Sequence, residues 1–206
     1  MNMKLISGRM ISAVLMSIVL FFVCSAEGRE GQSGFSQTAR YNPAGMQQPD
    51  IVIARLEKKI HGLINAERKK KGLSALQWNV SLNRIARRYS QEMSERNFFS
   101  HTDPEGKGFK DRYEEEGFAC RLRVGNITCL GAENIAQDNL YHSVLYLSGV
   151  PSYNWNTEDQ IAASVVKSWM NSKGHRENIL TPYLRHQGIG IAVSDDGKVY
   201  VTENFC

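Results

Sequence analysis

Three short stretches of this sequence carry side chains able to do chemistry. Ser100-His101-Thr102-Asp103-Pro104 sets a histidine in a turn ahead of Gly106, and a turn can aim a side chain into a cleft. Gly131-Ala132-Glu133-Asn134-Ile135-Ala136 puts a carboxylate among small and apolar neighbours. Partial burial there calls for a partner or a metal. Trp169-Met170-Asn171-Ser172-Lys173-Gly174-His175-Arg176-Glu177-Asn178-Ile179-Leu180 ends a helix near Gly174 and starts a new turn at His175. Neutral imidazoles suit zinc and other transition metals, and a metal-bound water is a nucleophile. His101, Glu133 and His175 are the candidate side chains these stretches offer, and none of the three stretches is specific alone. Each also has a plainer role: a surface histidine, a helix-capping glutamate, a hydrogen-bonded structural histidine. Neither Gly-x-Ser-x-Gly nor His-Glu-x-x-His occurs. Ser172 sits at a helix end with no evident oxyanion hole.

The elements that must position these residues follow from periodicity. A first helix is predicted with Asp50 as N-cap and Ile53, Leu56, Ile60, Leu63 and Ile64 on one face, ending at Gly72. The basic run Arg68 to Lys71 then lies at a helix C-terminus, where cations are favoured and solvated. A second helix follows Asn79, with Leu82, Ile85, Ala86, Tyr89 and Met93 as its stripe. A third covers Phe109 to Glu116 and stops at Gly117. A fourth opens with Thr157 and Gln160 at capping-box spacing and carries Ile161, Val165 and Trp169 on one face. The chain then changes period. Ile189 to Val193 and Lys198 to Phe205 read as strands around Asp196-Gly197, a hairpin signal. Glu203 shares a strand face with Val199, Val201 and Phe205. It is expected, like Glu177, to be a surface-edge glutamate. Helices first and strands later imply an α+β layered domain.

In their order and flanks, His101, Glu133 and His175 make the sequence resemble the CAP superfamily of cysteine-rich secretory proteins, antigen 5 and pathogenesis-related proteins, in its bacterial SCP-like form. Ile64-Asn65-Ala66-Glu67-Arg68, Gly72-Leu73 with Leu76 and Trp78, Ile189-Gly190-Ile191 and Tyr200-Val201-Thr202-Glu203-Asn204-Phe205 extend the match from Asp50 to Cys206. The resemblance implies a three-layer α-β-α sandwich with a large open cleft facing His101, Glu133, His175 and Ser172. It also implies a divalent metal, zinc by preference, on His101, His175 and Glu133. The family's fourth ligand is a glutamate where this chain has Ser172, which leaves a three-ligand site with an open position. The function implied is a binding protein for an unknown lipid or cell-envelope ligand. The alternatives are a structural or adhesive envelope protein with a vestigial cleft, or a hydrolase of the peptidase type using His101, Glu133 and His175 directly or through a metal-bound water. Ala119 to Leu130 and Asp138 to Asn156 look like additions to a minimal domain of this kind. The second carries Tyr141, His142, Tyr146, Tyr153 and Trp155, expected to pack the insertion down rather than to roof the cleft.

The chain has 206 residues, room for one domain plus export segments. Lys4 and Arg9 precede an apolar run from Ile11 to Val23 that is too short to span a bilayer. Residues 1–26 thus read as a signal peptide cleaved after Ala26, residues 27–49 as a flexible linker, and residues 50–206 as the CAP domain. The expected location is secreted, or periplasmic and cell-envelope. Cys24 offers a lipid anchor as a weaker alternative. The formal charge is +4, too near neutrality to argue for nucleic acid. Of the remaining cysteines, Cys120 and Cys129 flank a Gly-Asn turn and are expected to pair. Cys206 would then be free or intermolecular, and a long-range bridge from Cys206 is the rival.

Overall fold

The computed structural model describes residues 48–206; the expected signal peptide, Cys24 and nearly all of the expected linker lie outside the described residues. The elements are α1 (Ile53–Lys70), β1 (Gln77–Trp78), α2 (Val80–Glu95), α3 (Phe109–Glu115), β2 (Leu122–Val124), β3 (Ile127–Cys129), β4 (Ala132–Asn139), β5 (Tyr141–Leu147), β6 (Val150–Trp155), α4 (Glu158–Asn171), α5 (Lys173–Ile179), β7 (His186–Val193) and β8 (Lys198–Phe205). Local chemistry sets two helix starts as expected. The Asn79 side chain accepts from the Leu82 amide, and Thr157 with Gln160 forms a reciprocal capping box. α1 differs: its N-cap is Val52, not Asp50. Glu158 accepts from the Val52 amide at 2.9 Å and from the Arg55 guanidinium. The partner that fixes this helix start lies 106 residues away, beyond any local signal.

The main sheet runs β1-β7-β8-β4. β1 pairs with β7 in parallel, and the other pairings are antiparallel. Side-chain alternation along β8 divides the layers. Val199, Val201 and Phe205 join Leu56, Ile60, Ile64, Ile161, Val165 and Trp169 in the core beneath α1 and α4. Tyr200 turns the other way, onto Tyr89 and Met93 of α2, and Thr202 accepts from Ser90 Oγ. Helices therefore cover both faces of the sheet in an α-β-α sandwich. Its exposed edges are closed by side chains, which blunts pairing with other chains. On β7, Asn83 donates to Ile189 O. On β4, Asn178 donates to Glu133 O and Trp169 Nε1 to Ile135 O.

Arg68 is not a solvated helix-end cation. It is fully buried, and it donates to the carbonyls of Ser74, Ile179, Thr181 and Leu184. A guanidinium has five donors in a fixed fork, so one residue ties α1 to the loop after it and to the segment following α5.

Both inserted segments are hairpins rather than loops: β2 pairs with β3, and β5 with β6. The second hairpin leaves β4 at Asn139, six residues from Glu133. At about 3.4 Å per residue it stands roughly 20 Å from that carboxylate along the strand and does not roof it.

The cysteine pairing is Cys120–Cys206, spanning 86 residues, with Cys129 free and half-exposed; the expected Cys120–Cys129 bridge is absent. Register explains the difference. Leu122 faces Cys129, so Cys120 faces Gly131, not Cys129. Gly131 has φ +97°, and a Cβ there would stand 2.5 Å from Phe205 O and 3.6 Å from Cys120 Sγ. Only glycine lets the chain end lie this close to Cys120. The amides of Arg185 and His186 both donate to Cys206 O, which completes the placement. Non-reducing peptide mapping should therefore recover a Cys120–Cys206 peptide, with Cys129, alone among the cysteines of the described residues, alkylated in the native protein. A Cys129-containing disulfide peptide would refute the register argument.

Candidate functional site

The site is built at the outer edge of the sheet, where β4 begins. Glu133 faces the α2 and α3 side, opposite Asn204 in the register, and its carboxylate is almost wholly buried, at 1% exposure. A buried charge needs partners, and Glu133 has two. His101 Nδ1 lies 3.0 Å from Oε1 and Arg112 NH2 2.6 Å from Oε2. Arg112 comes from α3, is itself buried, and lies with its guanidinium carbon 3.3 Å from the Tyr89 ring centroid, a stacked cation–π arrangement.

The same two side chains hold the turn that carries His101. Arg112 donates to Lys107 O and His101 O, and Tyr89 OH donates to Ser100 O at 2.6 Å. Burial pushes the Tyr89 phenol up to about 12, which keeps it a donor at physiological pH. The Asp103 carboxylate accepts from the Glu105 and Lys107 amides and shapes the rest of the loop. His101 is thus fixed from behind while half its side chain meets solvent, at 51% exposure.

His175 arrives from the opposite layer, on α5, and reaches the same edge. The two imidazole rings have centroids 6.0 Å apart and are tilted by 50°. Burial, and then the proximity of His101, hold the His175 imidazole below its ordinary pKa, favouring the neutral ring. Asn134 Nδ2 donates to His175 O at 3.2 Å, and Asn178 donates to Asn134 Oδ1 at 2.9 Å. Asn134 also donates to Glu203 Oε2 at 3.2 Å. Glu203 is therefore not at a surface edge. It is fully buried, its Oε1 has no hydrogen-bond partner among the described residues, and burial pushes it up to about 8. Glu177 is exposed, as expected.

The structure thus brings His101, Glu133 and His175 to one place, but with different tasks. Both Glu133 oxygens are already engaged, and the ligand atoms of the three residues do not all fall within 4.8 Å of one another. A carboxylate on Nδ1 fixes the tautomer and turns Nε2 outward as the free lone pair, the usual role of a carboxylate behind a metal-binding histidine. The donor set that fits a transition metal is two imidazoles, with Glu133 orienting one of them. Ser172 joins α4 to α5, serving as C-cap of one and N-cap of the other without a side-chain capping bond. Glu92, Asp103 and Glu105 converge more tightly, yet Arg96 already donates to Glu92 and Glu105 and occupies oxygens a metal would need. Beside the site, a groove of about 530 Å³ is lined by Tyr89, Glu92, Asp103, Lys107 and Arg112 among others. Sequence reasoning missed Arg112, Asn134 and Asn178. Only Asn134 and Asn178 sit inside the stretches singled out, and nothing in the local pattern of Phe109 to Glu116 marks Arg112.

A family model described as CAP, cysteine-rich secretory protein family, matches residues 61–205. The Bacillus subtilis (strain 168) protein YkwD is 33% identical over 142 residues, which is 69% of this chain and 44% of the relative. The membrane protein YlbC of the same strain is 32% identical over 149 residues, 72% of this chain and 34% of the relative. The chain thus spans less than half the length of either. Among solved structures, an extracellular protein containing an SCP domain from Bacillus anthracis matches with TM-score 0.52 at 25% identity, over 74% of this chain and 40% of that one. An outer surface protein from Borrelia burgdorferi matches with TM-score 0.56 at 18% identity, over 75% of this chain and 94% of that one, a likeness of fold.

Proposed function

The chain belongs to the cysteine-rich secretory protein (CAP) family, and from that premise we propose that it is an exported binding protein whose His101 and His175 together take a divalent transition metal, zinc by preference. The match to an extracellular SCP-domain protein supports a location outside the cytoplasm. The ligand class we propose beside the metal is a lipid or another component of the cell envelope. The observation that carries the metal reading is the pair of imidazoles at 6.0 Å between centroids, one of them backed by a buried carboxylate. Zinc would supply Lewis acidity and open coordination positions there. The chain's own residues do the rest: Glu133 selects the His101 tautomer, Arg112 and Tyr89 hold its loop, and Asn134 ties down the backbone of His175.

Calorimetric zinc titration tests this with a graded set of variants. His101→Ala and His175→Ala should each abolish binding, whereas Glu133→Gln should weaken it by about 10- to 100-fold, the range for an orienting partner of a ligand. Ser172→Glu should strengthen it by adding an oxygen donor. The negative charge there costs little, because the unfavourable C-terminus of α4 is offset by the favourable N-terminus of α5. Undiminished zinc binding by His101→Ala would refute the two-histidine site.

A further inference from the structure

We propose that the β5–β6 hairpin is a membrane-contact element that seats its tip in the surface of a phospholipid bilayer. The proposal is independent of the histidine pair, since the hairpin leaves the far end of β4. No Asp, Glu, Lys or Arg occurs from Asn139 to Thr157, whereas Asp138 and Glu158 stand immediately outside this stretch. Among the described residues both strands pair only with each other, so the hairpin projects instead of extending the main sheet.

Its side chains are graded along its length. At the base, the Leu140 amide donates to Gly197 O. The charged residues Asp195, Asp196 and Lys198 cluster here, at the β7–β8 turn. Next comes an aromatic layer. Tyr153 stacks on Trp155 at 4.9 Å, and Tyr141 meets Tyr153 edge-on at 5.2 Å. Farthest out are Leu145 at 63%, Tyr146 at 72% and Val150 at 44% exposure, beside Pro151. Apolar tip, tyrosine and tryptophan belt, then charge is the polarity profile of a bilayer surface read from the hydrocarbon outward. A soluble surface has no reason to leave such side chains exposed on an uncharged hairpin with open edges, where charge ordinarily guards against aggregation. A charged partner would want charge at the tip, and the tip has none. The contact is shallow and differs from a spanning segment; among the described residues no helix is long and apolar enough to cross a membrane.

The test uses the full chain with phosphatidylcholine vesicles, brominated or not along the acyl chains. A Tyr146→Trp probe should be quenched by brominated vesicles, while a Val80→Trp probe on α2, equally exposed at 71%, should not. Adding Leu145→Asp to the Tyr146→Trp protein should raise the lipid needed for quenching by roughly tenfold or more, with an unchanged circular dichroism spectrum. Half-molar salt should leave the contact intact, because no charge carries it. Because the readout is local, binding through the apolar N-terminal run does not imitate it. Absence of quenching at position 146, equal quenching with and without Leu145→Asp, or loss of quenching in salt would each overturn the proposal. So would a concentration-dependent dimer that Leu145→Asp abolishes without any effect of lipid, since a second copy would then cover the tip.

Discussion

Gly190→Ala is expected to cost more than about 4 kcal/mol, the range reserved for changes the fold cannot absorb, and Gly188→Ala with Gly190→Ala together should leave the chain unfolded. α2 lies directly on β7 at these two glycines. A Cβ on Gly188 would stand 2.7 Å from Asn83 Cα and closer still to the Asn83 nitrogen. A Cβ on Gly190 would collide with the Ala86–Arg87 peptide in the same way. The obstacle is helix backbone, which cannot rotate aside like a side chain. α2 would have to lift away from the sheet, opening the contacts of Tyr89 and Met93 with Tyr200. Both glycines have ordinary backbone angles, so the cost is steric and not conformational. Gly62 is the control. It lies inside α1 with open space where its Cβ would be, so Gly62→Ala should stabilise by up to about 1 kcal/mol through helix propensity. Urea unfolding of the three variants measures all of this. A Gly190→Ala protein within about 1 kcal/mol of the parent would mean that α2 sits farther from β7 than the structure has it.

Those glycines also show what was legible in the sequence. Ile189-Gly190-Ile191 was readable as a strand and as part of the family resemblance, but the reason for glycine appears only when α2 is laid on β7. The features read correctly are those whose cause is local. The Asn79 and Thr157 caps, the apolar stripes of α2 and α4 and the Asp196-Gly197 turn each depend on residues a few positions apart. The features misread depend on distant partners. Val52 displaces Asp50 as the first cap because Glu158 reaches it. Arg68 is buried because carbonyls after α5 converge on it. Cys120 bonds Cys206 because Gly131 admits the chain end. Within the site, His101, Glu133 and His175 were visible through their flanks. The residues that hold them were not, because Arg112 is one arginine among many until its stack on Tyr89 is seen. Glu203 is the sharpest case. From sequence, a carboxylate on an apolar strand face reads as a surface residue, since burial without an ion pair is costly for the ionised form. In the fold, burial pushes the carboxyl up to about 8, toward the neutral form.

Glu203 should therefore govern how stability responds to pH. Its carboxyl is pushed from an ordinary 4.5 up to about 8, chiefly by burial. The nearest cation, Arg68, does not reverse this, because its donors go to four backbone carbonyls. Between pH 4.5 and about 8 the folded chain holds a proton that the unfolded chain has released. Stability from this group is thus fully present below 4.5 and declines as pH rises through about 8. At about 1.4 kcal/mol per pH unit, the decline totals on the order of 4–5 kcal/mol across that window. Glu203→Gln keeps the shape and the bond from Asn134 but cannot ionise. It should match the parent near pH 4 to within about 1 kcal/mol, the cost of one imperfectly paired amide. At pH 9 it should be the more stable protein by several kcal/mol. The effect reaches the site as well, because Asn134 donates to both Glu203 and His175 O and accepts from Asn178. An ionised Glu203 competes for the same amide hydrogens, so His175 should become more mobile above pH 8 in the parent and not in Glu203→Gln, readable from imidazole NMR line widths. Urea unfolding of both proteins from pH 4 to pH 9 decides the first point. If the two curves fall in parallel, Glu203 is ionised inside the fold at neutral pH and some cation not seen here as its partner must reach it.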